Sequence, residues 1–357
     1  MKLISIVTQM EAAGAQRIAY LLHEGFQVEG HSSKLVFLYT KRPAYEGLAG
    51  VSSLLNHQPS ALDYGRIALK LADLLRTEKP DVLITHTHYA NILGQSVAML
   101  CGIGKRIAVN HSPDSIYSRG ARIADSILGS SGVYSKIVAV SEAVSVSLAK
   151  YPSPYRTRIT VINNGISVSA RQINRDVIKV RFGIPLESPL LVNVGRLNVV
   201  KNQSLLIRTL TYLPNAHLVI IGEGELRDDL LSLAKYLHVA DRLHLAGELP
   251  SADVNTIVGS SDVFVFPSLA EAMGLALAEA MLLRRPVVAS DLPVFADLLG
   301  DGGILASAQN ASAWAEAIQY VLSNPCLARS LGKRAQQIAG RYSPGRMASK
   351  YLALMST

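Results

Sequence analysis

Short apolar runs alternate along this chain with stretches in which apolar residues recur every three or four positions. The short runs predict strands at 3–8, 34–39, 81–86, 106–110, 136–140 and 159–162. Helical periodicity fills most of the gaps, as at 61–76 and 90–101. A polar stretch at 163–175 reads as a linker. The alternation then restarts, with strands at 190–194, 216–221, 242–245, 263–266 and 287–290, and helices dominate from 311 onward. Strands that alternate with helices pair in parallel and are covered on both faces. The expected fold is α/β, with two doubly wound, Rossmann-like domains and a cleft between them. Ligands of such sheets bind beyond the carboxyl ends of the strands.

Composition is consistent with that reading. A length of 357 residues suits two domains, and 49% apolar content with few aromatics suits a soluble α/β protein. No run of 18 apolar residues predicts a membrane span. The start, 1–8, reads as a first strand rather than a signal peptide. Cys101 and Cys326 stand far apart and form neither a disulfide framework nor a metal pattern, which favours a reducing cytoplasm. The net charge of +8 is uneven: residues 1–171 carry 18 Lys/Arg against 11 Asp/Glu, the remainder 17 against 16. Lys105, Arg106, Arg119, Arg122 and Lys136 are the candidates for a basic face. Such a face suits anionic lipid or a phosphorylated acceptor. Nucleic acid fits worst, because no Lys/Arg block is interleaved with aromatics.

The residues with chemistry fall repeatedly at strand ends. Gly14 follows the first strand and opens a helix, where backbone can approach a ligand closely or simply turn tightly. This is not the GxGxxG of a nicotinamide site. His86 and His88 end the third predicted strand and His111 the fourth. Each reads as a structural histidine or a functional one; a zinc site made of all three lacks any ligand spacing. In the second half, Gly195 and Arg196 end a strand and Lys201 follows before a helix. The two cations could clamp a diphosphate, or form a solvated basic turn. Gly222, Glu223 and Gly224 end the next strand, beside a base or ribose or as a plain turn.

The densest segment is 267–281. A strand runs into a short loop, and the loop opens an alanine-rich helix near Gly274. Glu271 stands just before that helix and Glu279 inside it. A helix start offers free N–H groups to a phosphate, and carboxylates beside it accept bonds from hydroxyls. The combination suits a ligand with both phosphate and sugar. The plainer reading is an amphipathic helix with two solvated acids.

Taken in order, these pieces resemble glycosyltransferase family 4, the retaining, nucleotide-sugar-dependent enzymes of GT-B fold. The matching pieces are Ala13-Gly14-Ala-Gln-Arg17, Asn110-His111, Ala139-Val-Ser141-Glu142, Ile162-Asn-Asn-Gly165-Ile166, Val194-Gly195-Arg196-Leu197 with Lys201, Ile221-Gly222-Glu223-Gly224, Pro267-Ser268, and the E-x7-E pair Glu271 and Glu279. They span nearly the whole chain. The resemblance implies an acceptor-side domain over 1–167, with helix 343–357 packed back on it, and a donor-binding domain over 168–342. It implies that Glu271 bonds hydroxyls of the donor sugar and Glu279 those of the ribose. Arg196, Lys201 and the backbone N–H groups of Met273, Gly274 and Leu275 would neutralise the leaving diphosphate. Gly14 would touch the donor phosphate and His111 would lie near the transferred sugar, while Gly195, Gly222 and Glu223 would line the donor site. Fixed cations aimed at the leaving group can replace a catalytic metal, so neither metal nor cofactor is expected.

The resemblance further implies a UDP-sugar donor, with GDP-mannose second, and a glycan or lipid-linked acceptor in bacterial envelope or lipopolysaccharide synthesis. The protein is expected in the cytoplasm, with its basic half suited to the anionic inner membrane face. Departures from the family pattern concern donor identity: Ala13 in the first loop, Ala272 and Met273 after Glu271, Ser167, and Leu292-Pro293-Val294. Two alternatives stay open, a nucleotide-sugar 2-epimerase of the same fold and a non-catalytic sugar-nucleotide-binding protein.

Overall fold

A computed structural model describes residues 1–171 and 174–356. It divides into two compact units, Met1–Gly165 together with Tyr342–Thr357, and Ile166–Arg341. The described residues of the first unit form strands β1 (Lys2–Met10), β2 (Ser32–Thr40), β3 (Val51–Ser53), β4 (Val82–His86), β5 (Lys105–Asn110), β6 (Lys136–Ala139) and β7 (Ile159–Val161). Those of the second form β8 (Leu190–Val194), β9 (His217–Ile221), β10 (Leu243–Gly247), β11 (Val263–Phe266), β12 (Val287–Ser290) and β13 (Ile304–Ala306). Two of these, β3 and β13, are absent from the sequence reading. Each has only three residues, as has β7, which the run 159–162 nonetheless predicts.

The sheet orders are β3-β2-β1-β4-β5-β6-β7 and β10-β9-β8-β11-β12-β13. Every pairing between these strands is parallel. Parallel sheets are buried on both faces, so their strands are apolar throughout rather than alternating. Ile4, Ile6, Val82, Leu83 and Ile84 have no exposed surface in the first unit, nor do Val263, Val265, Val287 and Val288 in the second. In each sheet the order reverses direction once, between β1 and β4 and between β8 and β11. At such a switch point the connections leave to opposite sides and open a crevice at the carboxyl edge.

The last helix, Pro344–Ser356, belongs to the first unit. Gly25 lacks a Cβ where one would lie 2.9 Å from the Ala348 methyl, so the helix Gly14–Val28 meets it closely. The Gly165 N–H points at the Met347 sulfur at 3.1 Å, and Lys105 reaches the Met355 carbonyl.

Candidate active site

In the second unit two loops converge at the switch point, one after β8 and one after β11. The first runs through Gly195, Arg196 and Leu197 into a turn at Val199–Lys201, where the Asn198 side chain accepts the Lys201 N–H at 3.1 Å. The second is the segment 267–274. They are tied together by Leu269 N–H to the Val200 carbonyl at 2.8 Å and by the Asn202 amide to the Pro267 carbonyl at 3.3 Å. Asn202 adopts a left-handed conformation, φ 53, which asparagine tolerates better than most residues.

Across this junction the Lys201 ammonium pairs with Glu271 Oε1. That oxygen also accepts the Ser268 hydroxyl at 3.1 Å, and the ammonium lies 5.2 Å from the Phe266 ring centre. Gly195 makes room for the lysine stem: a Cβ there would stand 3.3 Å from Lys201 Cδ. Cation and carboxylate are largely buried, with side-chain exposures of 23% and 15%. Arg196 beside them is exposed, and among the described residues no acid engages its guanidinium. The sequence thus named both members of the pair without pairing them, and it missed Phe266, Asn198 and the bracing role of Ser268. Their signal, a short polar or aromatic residue beside a strand end, is too common to read alone.

Gly274 caps the helix Leu275–Leu282 at φ 82, with no side chain bonding the first turn. A Cβ on Gly274 would lie 2.9 Å from the Phe295 ring. Glu279 sits on this helix, 9% exposed and already engaged within the protein. Met273 is 5% exposed, so it enters the core beneath the loop rather than its surface. Gly222 and Gly224 have a definite task. Added Cβ atoms would run into the backbones of Gly195 and Leu197, where the two strand-end turns lie against each other. Leu197 N–H bonds the Glu223 carbonyl at 3.0 Å, and Leu226 N–H bonds the Leu197 carbonyl at 3.1 Å. Glu223 itself is exposed and pairs with Arg227 at 3.3 Å.

In the first unit Gly14 is exposed and opens the helix Gly14–Val28, and Ala13 before it provides no side-chain cap. On the neighbouring strands His86 Nδ1 lies 2.9 Å from His111 Nε2. Burial pushes the His111 ring down to about 4, and burial with the His111 ring beside it holds His86 well below the usual range. Both are therefore neutral at pH 7. Thr87 between the strand and the next helix adopts φ 77, which is strained for a β-branched residue. Its hydroxyl is held 2.6 Å from that of Thr8, which also accepts the Ala90 N–H at 3.1 Å.

His88 does not end a strand. It is the first residue of the helix His88–Leu100, buried and stacked on Tyr117 at 4.2 Å, with neither ring nitrogen hydrogen-bonded. Only two of the three histidines meet. Among the described residues no group of three His, Cys, Asp or Glu side chains is placed to hold a metal ion. Asn110, next to His111, is braced from below: its amide points at the Tyr155 hydroxyl at 3.1 Å, which donates to Asp125 at 2.7 Å. Asp125, which also accepts the Tyr134 hydroxyl at 3.0 Å, is pushed up by burial.

The expected basic face is partly consumed inside the unit. Arg106 donates to the carbonyls of Val133 and Gly132, Lys105 to that of Met355, and Arg122 lies 3.8 Å from Asp114. Arg119 stays exposed, on a helix (Arg119–Ser130) whose outer side carries Ile123 and Ile127, with Ile116 just before it. No helix among the described residues is long and apolar enough to cross a membrane.

Two family models match the chain. One, described as glycosyl transferases group 1, covers residues 174–338; the other, glycosyltransferase family 4, covers 12–170. The lipopolysaccharide core biosynthesis glycosyltransferase LpsE of Rhizobium meliloti is 25% identical over 83% of this chain and 82% of its own length. An Escherichia coli UDP-Gal:alpha-D-GlcNAc-diphosphoundecaprenol alpha-1,3-galactosyltransferase is 30% identical over 63% of this chain and 61% of its own. The crystal structure of Anabaena Alr3699/HepE in complex with UDP and glucose superposes over 100% of both chains, with a TM-score of 0.87 at 18% identity. That likeness concerns the fold, which is GT-B.

Proposed function

The chain belongs to the group 1 glycosyltransferases of family 4, and on that footing we propose that it transfers a sugar from a nucleotide-sugar with retention and without a metal. The observation that carries the site assignment is the Lys201–Glu271 pair, braced by Ser268, between two strand-end loops at the switch point of the second sheet. In this reading Lys201 and Arg196 face the donor diphosphate. The uncapped start of the helix Leu275–Leu282 adds its N–H groups, including those near Met273, Gly274 and Leu275.

The reaction breaks the bond between the anomeric carbon and the diphosphate oxygen. The electron pair leaves with the phosphate while positive charge grows on the sugar ring. Cations and dipoles fixed before the reaction need no rearrangement to meet that charge. Glu271 binds hydroxyls of the transferred sugar through lone pairs not used by Lys201 and Ser268, and Glu279 serves the ribose. The family resemblance further assigns Gly14 to the donor phosphate and His111 to the transferred sugar. The acceptor hydroxyl attacks on the face the diphosphate leaves and gives its proton to it. Retention by this route requires no protein nucleophile.

A UDP-sugar is the favoured donor, with GDP-mannose second. The E. coli relative's name includes UDP-Gal, and the Anabaena structure holds UDP and glucose. The same relatives, one in lipopolysaccharide core synthesis and one acting on a diphosphoundecaprenol sugar, support a glycan or lipid-linked acceptor. Arg119 with the exposed Ile116, Ile123 and Ile127 would suit the rim of an anionic bilayer. Glu271→Ala and Lys201→Ala test the assignment: each should remove most transfer and leave the fold intact. Near-full transfer by either variant would refute it. UDP-sugar incubated alone that yields mainly the 2-epimer would establish the epimerase reading instead.

A further inference from the structure

The contact between His86 and His111 joins two rings that are both neutral at pH 7, and it has a chemical consequence. Two neutral imidazoles 2.9 Å apart, nitrogen to nitrogen, share one proton between them. In one arrangement His111 donates through Nε2. His86 must then carry its own proton on Nε2, which is buried and has no hydrogen-bond partner. In the other, His86 donates through Nδ1 and leaves only a bare lone pair in that buried place. A buried N–H without a partner is the rarer and costlier condition, so the second arrangement holds. His86 has no exposed surface, and its backbone leads into the strained Thr87 that Thr8 clamps. The donor is therefore fixed in position.

We propose that His86 is a positioning residue that sets the tautomer of His111. With Nε2 occupied as an acceptor, His111 must carry its proton on Nδ1, and that nitrogen is its only edge left for a ligand. Unlike His86 Nε2 and both ring nitrogens of His88, His111 Nδ1 is not among the buried polar atoms without a partner. It presents a fixed N–H donor, suited to a sugar hydroxyl or ring oxygen, and never a bare acceptor. Which nitrogen of an imidazole is protonated is set by the bond the other one makes. This inference rests on the role of His111 proposed above.

The test is the nitrogen-15 spectrum of the histidine rings in the full chain, with His111 assigned by its loss in His111→Asn. The expected result is an Nδ1–H tautomer for His111. His86→Leu should release it toward Nε2–H and lower kcat about tenfold, the rate equivalent of one hydrogen bond, with little change in donor KM. His86→Asn, whose amide N–H can stand where Nδ1–H stood, should restore both. An Nε2–H tautomer in the parent, or His86→Leu with the tautomer unchanged, overturns the inference. Failure of the underlying reading looks different: His111→Asn would then transfer sugar at the parent rate whatever the tautomer.

Discussion

Gly224→Ala adds one methyl group where the turn after β9 lies against the turn after β8. The new carbon would stand 2.7 Å from both the nitrogen and the carbonyl carbon of Leu197, and closer still to its oxygen. Ordinary contact between heavy atoms is ~3.5–4.0 Å, so the two backbones must part by roughly 1 Å. Both bonds that join them, Leu197 N–H to Glu223 and Leu226 N–H to Leu197, are then broken or strained. Two hydrogen bonds contribute about 1 kcal/mol each and overpacking costs about 1–3 kcal/mol. The lower chain entropy of alanine offsets about 0.4–1 kcal/mol. The net loss is about 2–5 kcal/mol. Arg196 lies inside the displaced turn, and a shift of ~1 Å in a positioning group costs about a hundredfold in rate. Trp314, the single tryptophan, is fully buried in the core of the second unit, so its fluorescence during urea unfolding reports on that unit. Gly65→Ala is the control. It lies in the helix Asp63–Glu78 with nothing within 4 Å of the added carbon. It should stabilise the first unit slightly and leave transfer unchanged. If Gly224→Ala unfolds at the parent midpoint, or turns over donor at the parent rate, the turn is not clasped as described.

The remaining predictions concern ligand, pH and membrane. UDP at 100 times its Kd should stabilise the protein by about 2.7 kcal/mol, read as a rise in Tm; a large rise with GDP and none with UDP would reverse the donor assignment. His111 sits near 4 when folded against about 6.5 when unfolded. Stability from this group is thus fully present above about pH 6.5 and is lost as pH falls toward 4, by about 1–2 kcal/mol at pH 5. Hydrogen exchange of the β4 and β5 amides at pH 7.5 and 5 should show that loss in the parent and less of it in His111→Asn; equal losses would contradict it. Ser268→Ala should lower transfer about tenfold by freeing Glu271 from its brace, a rate unchanged from the parent's being the contrary result. Binding to anionic vesicles should exceed binding to neutral ones and fall in Ile123→Glu; equal binding to both would remove the membrane from the proposed function.

The sequence by itself determined the two parallel sheets, because buried parallel strands are apolar runs and their crossovers carry a helical period. It placed Gly14, His111, Arg196, Lys201 and Glu271 at strand ends or helix starts for the same reason, and Glu279 inside a helix. It did not show the three-residue strands β3 and β13, nor that His88 belongs to a helix. Strand order was beyond it as well. Pairing depends on partners distant in sequence, so only the tertiary structure placed β8 beside β11, and with them Lys201 beside Glu271. The glycines at 222 and 224 read either as close backbone approach beside a base or ribose or as a plain tight turn. The fold uses them to let one turn lie on another, since the atom a side chain would meet belongs to Leu197 and Gly195. His86 and His111 are 25 residues apart, and their 2.9 Å contact exists because β4 and β5 are neighbours in the sheet. Residue type and period are local properties of the chain, whereas which ring gives its proton to which depends on distance in space.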